Sequence, residues 1–284
     1  MDTDQINDLY WWAQERVQGF MSGLHRSPDF GYSVEFAQHR QYVSGDSPKH
    51  IDWSVYAKTD RFLTKLYEAE SNMRTFFVLD SSSSMYYPNE DAGKWERTVQ
   101  VITLIASLLQ KQRDAMGMLE ISETRSKFFE AKATNDWVKL LLNHLYAIEG
   151  EVNKNAAIAI EIETLLTKVP RRSQIILFID LFQDKLEEII DAAALLVHEG
   201  HSVRFAFISH SELEEDAEQF SGKQVFDSET GAKTFLDQND AMNYVSFVKA
   251  QKQRATTLCR NVNLNCKVLD ASREPMYLLR ELLA

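Results

Sequence analysis

From about residue 76 onward, short apolar runs alternate with longer segments whose apolar positions recur at helical spacing. The runs Phe76–Leu79, Met116–Ile121, Gln174–Ile179, Ser202–Ile208 and Cys266–Leu269 predict strands. Between and after them, Lys94–Arg113, Asp136–Ile148, Ala156–Lys168, Lys185–Glu199, Ala241–Asn261 and Pro275–Leu283 predict helices. This alternation predicts a mainly parallel sheet flanked by helices, an α/β Rossmann-like architecture with right-handed crossovers. The run Ile175–Ile179 contains no polar alternate, as a central strand buried on both faces requires. In Lys94–Arg113, the spacing of Val99, Ile102, Ile105, Ala106 and Leu109 reads as core, leaving Gln110, Lys111 and Arg113 for solvent. Gly200 is placed to end one helix, and Pro275 suits the first turn of the last.

Two stretches depart from that rhythm. Gln224–Gly231 followed by Lys233–Leu236 predicts a hairpin inserted near residues 219–237. Residues 1–71 are irregular and aromatic apart from a roughly helical pattern over Ile6–Met21, and they are too loop-rich for a self-sufficient core. The expected organisation is therefore an N-terminal extension, residues 1–71, packed on an α/β domain spanning residues 72–284.

Composition narrows the function classes. A chain of 284 residues with 44% hydrophobic content has an ordinary globular balance. Its net charge of -11 disfavours nonspecific binding to nucleic acid or anionic lipid, which depends on neutralising phosphates. Arg171–Arg172 reads as solvated surface, and so does the acidic run Glu212–Glu218, although the latter could also dock a basic partner. The polar start Met1-Asp2-Thr3-Asp4-Gln5 is unlike a signal peptide, and no apolar run reaches the roughly eighteen residues of a membrane span. A cytoplasmic protein without membrane insertion is expected. Cys259 and Cys266 lack C-x-x-C spacing and fit free thiols in a reducing compartment.

The chemistry concentrates in Asp80-Ser81-Ser82-Ser83-Ser84-Met85, directly after the first apolar run. A carboxylate and two hydroxyls at i, i+2 and i+4 supply hard oxygen ligands suited to a small divalent cation. Serine runs also serve as plain turn material, because their hydroxyls compete for backbone hydrogen bonds. Asp180 favours the metal reading. It closes the Ile175–Ile179 run as Asp80 closes its own, and ligands of open α/β sheets bind at the carboxyl ends of strands. Taken alone, Asp180 also fits a helix N-cap or a loop carboxylate.

The pattern Asp80-x-Ser82-x-Ser84 with Asp180 resembles the metal-ion-dependent adhesion site of von Willebrand factor A domains. The resemblance implies that two Ser and a Thr hydroxyl contact Mg2+ or Mn2+, with the Asp residues acting largely through water and a partner's acidic side chain completing the coordination. More narrowly, Arg40-Gln41-Tyr42-x-x-Gly45-Asp46, His50-Ile51-Asp52-Trp53-x-x-Tyr56-Ala57-x-Thr59 and Lys65-x-Tyr67-Glu68-x-Glu70 resemble the signature of bacterial domain-of-unknown-function family fifty-eight. Arg171-Arg172-Ser173 is also similar to that family. This resemblance implies a non-enzymatic, chaperone-like A-domain adaptor that works with a MoxR-type AAA+ ATPase on an unidentified client. One departure stands out: Val152 falls where the family's Thr ligand is expected, which implies a weaker or partner-dependent metal site. Asn153 or Asn155 could supply a carbonyl oxygen if the loop is shifted.

Other chemistries fit less well. His39, Asp46, His50 and Asp52 lack tight zinc spacing and read better as structural pairs, with Arg40, Asp46 and Asp52 holding the extension and Trp53 and Tyr56 anchoring it. A serine hydrolase would need the G-x-S-x-G elbow, and the sequence has neither that nor a P-loop. Asp80 and Asp180 could instead hold the metal of a phosphoester hydrolase, although no nucleophile or base is evident. A metal-independent scaffold with a degenerate site is the remaining alternative.

Overall fold

The computed structural model describes residues 12–13, 33–43, 51–70, 74–86, 93–122, 126–148, 157–226 and 233–284. The chain forms two compact units, one comprising residues 1–23 with 74–284 and the other residues 24–73. In the smaller unit, β1 (Ser33–Gln41) pairs antiparallel with β2 (Leu63–Glu70), and the helix Trp53–Thr59 lies between them in sequence. The larger unit carries β3 (Arg74–Asp80), β4 (Ala115–Ile121), β5 (Lys127–Lys132), β6 (Gln174–Asp180), β7 (Ser202–Ser209), β8 (Lys223–Phe226), β9 (Lys233–Leu236) and β10 (Asn265–Asp270).

Six of these strands form one sheet in the order β10-β7-β6-β3-β4-β5. All neighbours run parallel except β5, which returns antiparallel on β4. The helices Lys94–Lys111, Asn135–Ala147, Ile158–Lys168, Leu186–His198, Gln238–Asn261 and Pro275–Leu283 connect or follow the strands. This is an α/β architecture, with a mostly parallel central sheet between helical layers.

The pleat explains why the central strands have no polar alternates. Phe77 and Leu79 of β3, with Ile176 and Phe178 of β6, join a core built with Val99, Ile102, Leu142 and Leu279. Their sequence neighbours Phe76, Val78, Ile175, Leu177 and Ile179 point the other way, into a core with Ile162, Leu165, Ile189 and Leu196. Both faces are covered, and each buried Val, Leu, Ile or Phe contributes on the order of 2 kcal/mol. Ala13 is fully buried in the first of these cores, with Trp12 packed beside it.

Edge strand β5 carries no such apolar run. Its Lys127 and Lys132 ends and partly exposed pattern are those of an edge that resists further pairing, which is why hydrophobic periodicity misses it. Gly117 lies where the β4–β5 register shifts, and a Cβ there would meet the Phe129 carbonyl and the Phe76 ring at 2.6 Å. The small residue lets the Phe76 ring stack on Phe128 with ring centres 5.8 Å apart.

Within the smaller unit, Asp52 caps the Trp53–Thr59 helix, accepting hydrogen bonds from Ser54 N at 3.0 Å and Val55 N at 3.3 Å. Its second oxygen meets His39 Nε2 at 2.9 Å. Tyr56 stacks on Phe62 with ring centres 4.4 Å apart, and Trp53 meets Tyr56 edge-on. Asp46 and His50 lie outside the described residues. Asp52→Ala is expected to lower stability by roughly 1 kcal/mol through loss of the cap. Denaturant unfolding followed by Trp fluorescence checks it, and an unchanged midpoint would remove the capping role.

Candidate functional site

The sheet turns at one place. From β3 the chain first builds outward through β4 and β5, then returns to the other side of β3 to lay down β6, β7 and β10. At such a switch point the connections leave β3 and β6 in opposite directions, and a crevice opens between their carboxyl ends. Asp80 ends β3 and Asp180 ends β6, and both are fully buried.

The loop after β3 is held so that alternate residues have different tasks. Ser81 is tied to β4, its N–H and its hydroxyl both donating to the Ile121 carbonyl at 3.1 and 3.0 Å. Ser82 donates its N–H to Asp80 Oδ1 at 3.0 Å, and its Oγ lies 3.0 Å from Ser84 Oγ. Met85 anchors the following 3-10 turn, Ser83–Tyr86, with its side chain fully buried, and Tyr86 stacks on Trp95. Asp80, Ser82 and Ser84 are thereby gathered on one short turn, with Ser84 half-buried at its open side. Gln183 donates to Asp80 Oδ2 at 2.8 Å from the loop after β6.

Burial raises the Asp80 carboxyl to about 6, opposed by the Ser82 hydrogen bond and reinforced by the neighbouring charge of Asp180. Asp180 accepts from Phe182 N at 2.8 Å through one oxygen. Its other oxygen meets Lys94 Nζ at 2.5 Å, and the same ammonium donates to Glu214 Oε1 at 2.8 Å. Lys94 is only 2% exposed, and Glu214 only 3%. Burial alone would lower the Lys94 ammonium, but the charges and hydrogen bonds of Asp180 and Glu214 outweigh it and hold the group above its ordinary range. The remaining Glu214 oxygen accepts from His210 N at 2.9 Å.

Lys94 and Glu214 are the residues that hydrophobic periodicity overlooks. Lys94 opens a helix whose apolar stripe reads only as core, and Glu214 lies in the acidic run read as solvated or docking surface. Within that run Glu214 turns inward to Lys94, Glu215 pairs with Lys252 and Asp216 caps the short helix Ala217–Phe220, while Glu212 and Glu218 are exposed. A signal did exist, because a lysine in the first turn opposes the helix dipole and needs a compensating partner. A third strand-end carboxylate, Asp270, accepts from Ser211 and from Ser272 N and Oγ. Burial alone would raise it, but these hydrogen bonds outweigh that effect and hold it below the ordinary carboxylate range.

Asp80, Ser82 and Ser84 fit a small hard cation, since one buried carboxylate and two adjacent hydroxyls face one crevice beside a second carboxylate. Asp180 fits less freely because Lys94 already engages it. Val152, Asn153 and Asn155 lie outside the described residues. Among the described residues no three His, Cys, Asp or Glu side chains gather as a metal-binding group, so such a site would rest on hydroxyls as well as carboxylates. No described helix is long and apolar enough to cross a membrane.

The family model described as "Protein of unknown function DUF58" matches residues 38–257, and the chain belongs to that family. No curated protein matches it. Among solved structures, the conserved hypothetical protein BatB from Bacteroides thetaiotaomicron is similar at 13% identity and TM-score 0.47, covering 74% of this chain and 96% of that one. The SpRpn10 VWA domain is similar at 14% identity and TM-score 0.42, covering 74% and 93%. Proximal thread matrix protein 1 from the mussel byssus, described with a zinc-occupied MIDAS motif, is similar at 13% identity and TM-score 0.39, covering 63% and 48%.

A folded-state value near 6 against an ordinary 3.8 means that the fold prefers Asp80 protonated. The corresponding stability is present below 3.8 and is lost as pH rises through 6, leaving an ionised Asp80 that costs the metal-free protein up to about 3 kcal/mol. Asp80→Asn is therefore expected to raise the thermal midpoint in chelator at pH 7 and to change it little near pH 4. A lower midpoint at pH 7 would contradict the assignment.

Proposed function

We propose that this protein is a non-enzymatic interaction module that captures an acidic side chain of a partner through a divalent cation. Asp80, Ser82 and Ser84 would hold Mg2+ or Mn2+, with Asp180 contributing from the neighbouring strand end. The observation that carries the reading is the Asp80-Ser82-Ser84 oxygen cluster beside Asp180 at the sheet's switch point. A bound cation supplies a Lewis-acidic position at which a partner carboxylate can complete the coordination.

The chain's own residues prepare that position. Ser81 and Met85 fix the turn, the Ser82 N–H and Gln183 orient the Asp80 carboxylate, and Phe182 N orients Asp180. Beside the crevice, Phe182 stacks on Phe247, which is 50% exposed, so a partner would meet an apolar rim next to the polar centre. The MoxR-type AAA+ ATPase as working partner, a client complex under assembly or remodelling, and a cytoplasmic setting belong to the same proposal and follow from the family resemblance.

Titration calorimetry with Mg2+ and Mn2+ tests the reading. The wild-type protein is expected to bind one ion, and Ser82→Ala to lose at least about tenfold in affinity. Equal binding by both proteins would remove the proposed ligand set. Assaying a generic phosphoester with Mn2+ on the wild-type protein and on Asp80→Ala separates the hydrolase alternative, because turnover abolished by Asp80→Ala would favour it.

A further inference from the structure

We propose that Lys94 is a built-in competitor for the cation and that Glu214 is the counter-ion onto which Lys94 retreats when a cation engages Asp180. This inference deepens the metal reading and rests on it. The argument begins with charge. Asp180 and Glu214 flank one ammonium and Asp80 neighbours Asp180, so these three carboxylates and Lys94 together carry a formal charge of minus two, which a single divalent ion balances. Without Glu214 the cluster would carry minus one, and without both Lys94 and Glu214 it would return to minus two.

Geometry adds a direction. The Lys94 ammonium already contacts both carboxylates, at 2.5 Å to Asp180 and 2.8 Å to Glu214, so retreat requires loss of one contact and no new path. Glu214 is fixed to receive it, because its second oxygen accepts from His210 N and its short helix, Ser211–Glu214, is capped at the Ser211 N–H by Asp270. Phe182 is the ammonium's aromatic neighbour, its ring centre lying 6.0 Å from Nζ. Lys94 is thus a positioning residue that sets cation affinity through Asp180, and at 2% exposure it cannot serve a partner directly.

Two variants move affinity in opposite directions if this is correct. Glu214→Gln keeps a hydrogen-bonding side chain of the same length but leaves Lys94 no alternative charge partner. It is expected to weaken Mn2+ binding about tenfold, since the ammonium stays on Asp180. Lys94→Met combined with Glu214→Gln frees Asp180 while removing one charge of each sign, and it is expected to tighten Mn2+ about tenfold. Replacing a buried ion pair by neutral side chains of similar size is often tolerated, so the double variant alone decides should the single one fail to fold.

Calorimetry with Mn2+, together with the thermal shift each protein gains from Mn2+, reads both. A purely structural role for Lys94 predicts lower midpoints but wild-type affinity in the double variant, and that result overturns the inference while leaving the metal site intact. Tighter binding in the double variant supports it, including the case in which the wild-type protein binds too weakly to measure. No binding by any of the three proteins would overturn both the metal reading and this one.

Discussion

Two carboxylates buried beside one another at the ends of β3 and β6 are the constraint on which the rest of the site depends. Strand order places them there, because the sheet reverses its direction of growth between these two strands. Placing like charges in a low-dielectric crevice is costly, and an unpaired buried charge costs several kcal/mol. Every nearby feature can be read as a response: backbone donors from Ser82 and Phe182, the Gln183 amide, the Lys94 ammonium and the two hydroxyls of the serine turn.

Compensation is uneven across the pair. Asp180 has a full ammonium at contact distance, whereas among the described residues Asp80 has only neutral donors and is shifted toward the protonated form. The half of the crevice that lacks a positive charge is therefore the half that carries the serine hydroxyls. That asymmetry connects fold to function, because it makes the Asp80 side the place where an added cation gains most. It also ties the crevice to the turn after β7, since Lys94 bridges to Glu214 across 120 residues of sequence.

Much of the fold is legible in the chain because buried strands and amphipathic helices leave different periodicities. The runs at Phe76, Met116, Gln174, Ser202 and Cys266 all lie within strands, and the six long helices stand within a few residues of their expected spans. The edge strand β5 escaped because one side of it is not buried, so Lys127–Lys132 lacks the apolar signal. Asp80, Ser82, Ser84 and Asp180 were legible because a strand end followed by regularly spaced oxygens is a local pattern. Lys94 and Glu214 were not, because their meaning lies in a contact between the start of a helix and a distant acidic turn. Glu214 is one acid in a run of similar residues, and nothing in its neighbours distinguishes the one that turns inward.

The measurement that tests the account most directly is anomalous diffraction from crystals grown with Mn2+. The account predicts a peak about 2.1 Å from the Ser82 and Ser84 hydroxyl oxygens, with the Lys94 ammonium resting on Glu214 and withdrawn from Asp180. A crevice without a peak at saturating Mn2+, with Lys94 still on Asp180, would contradict it.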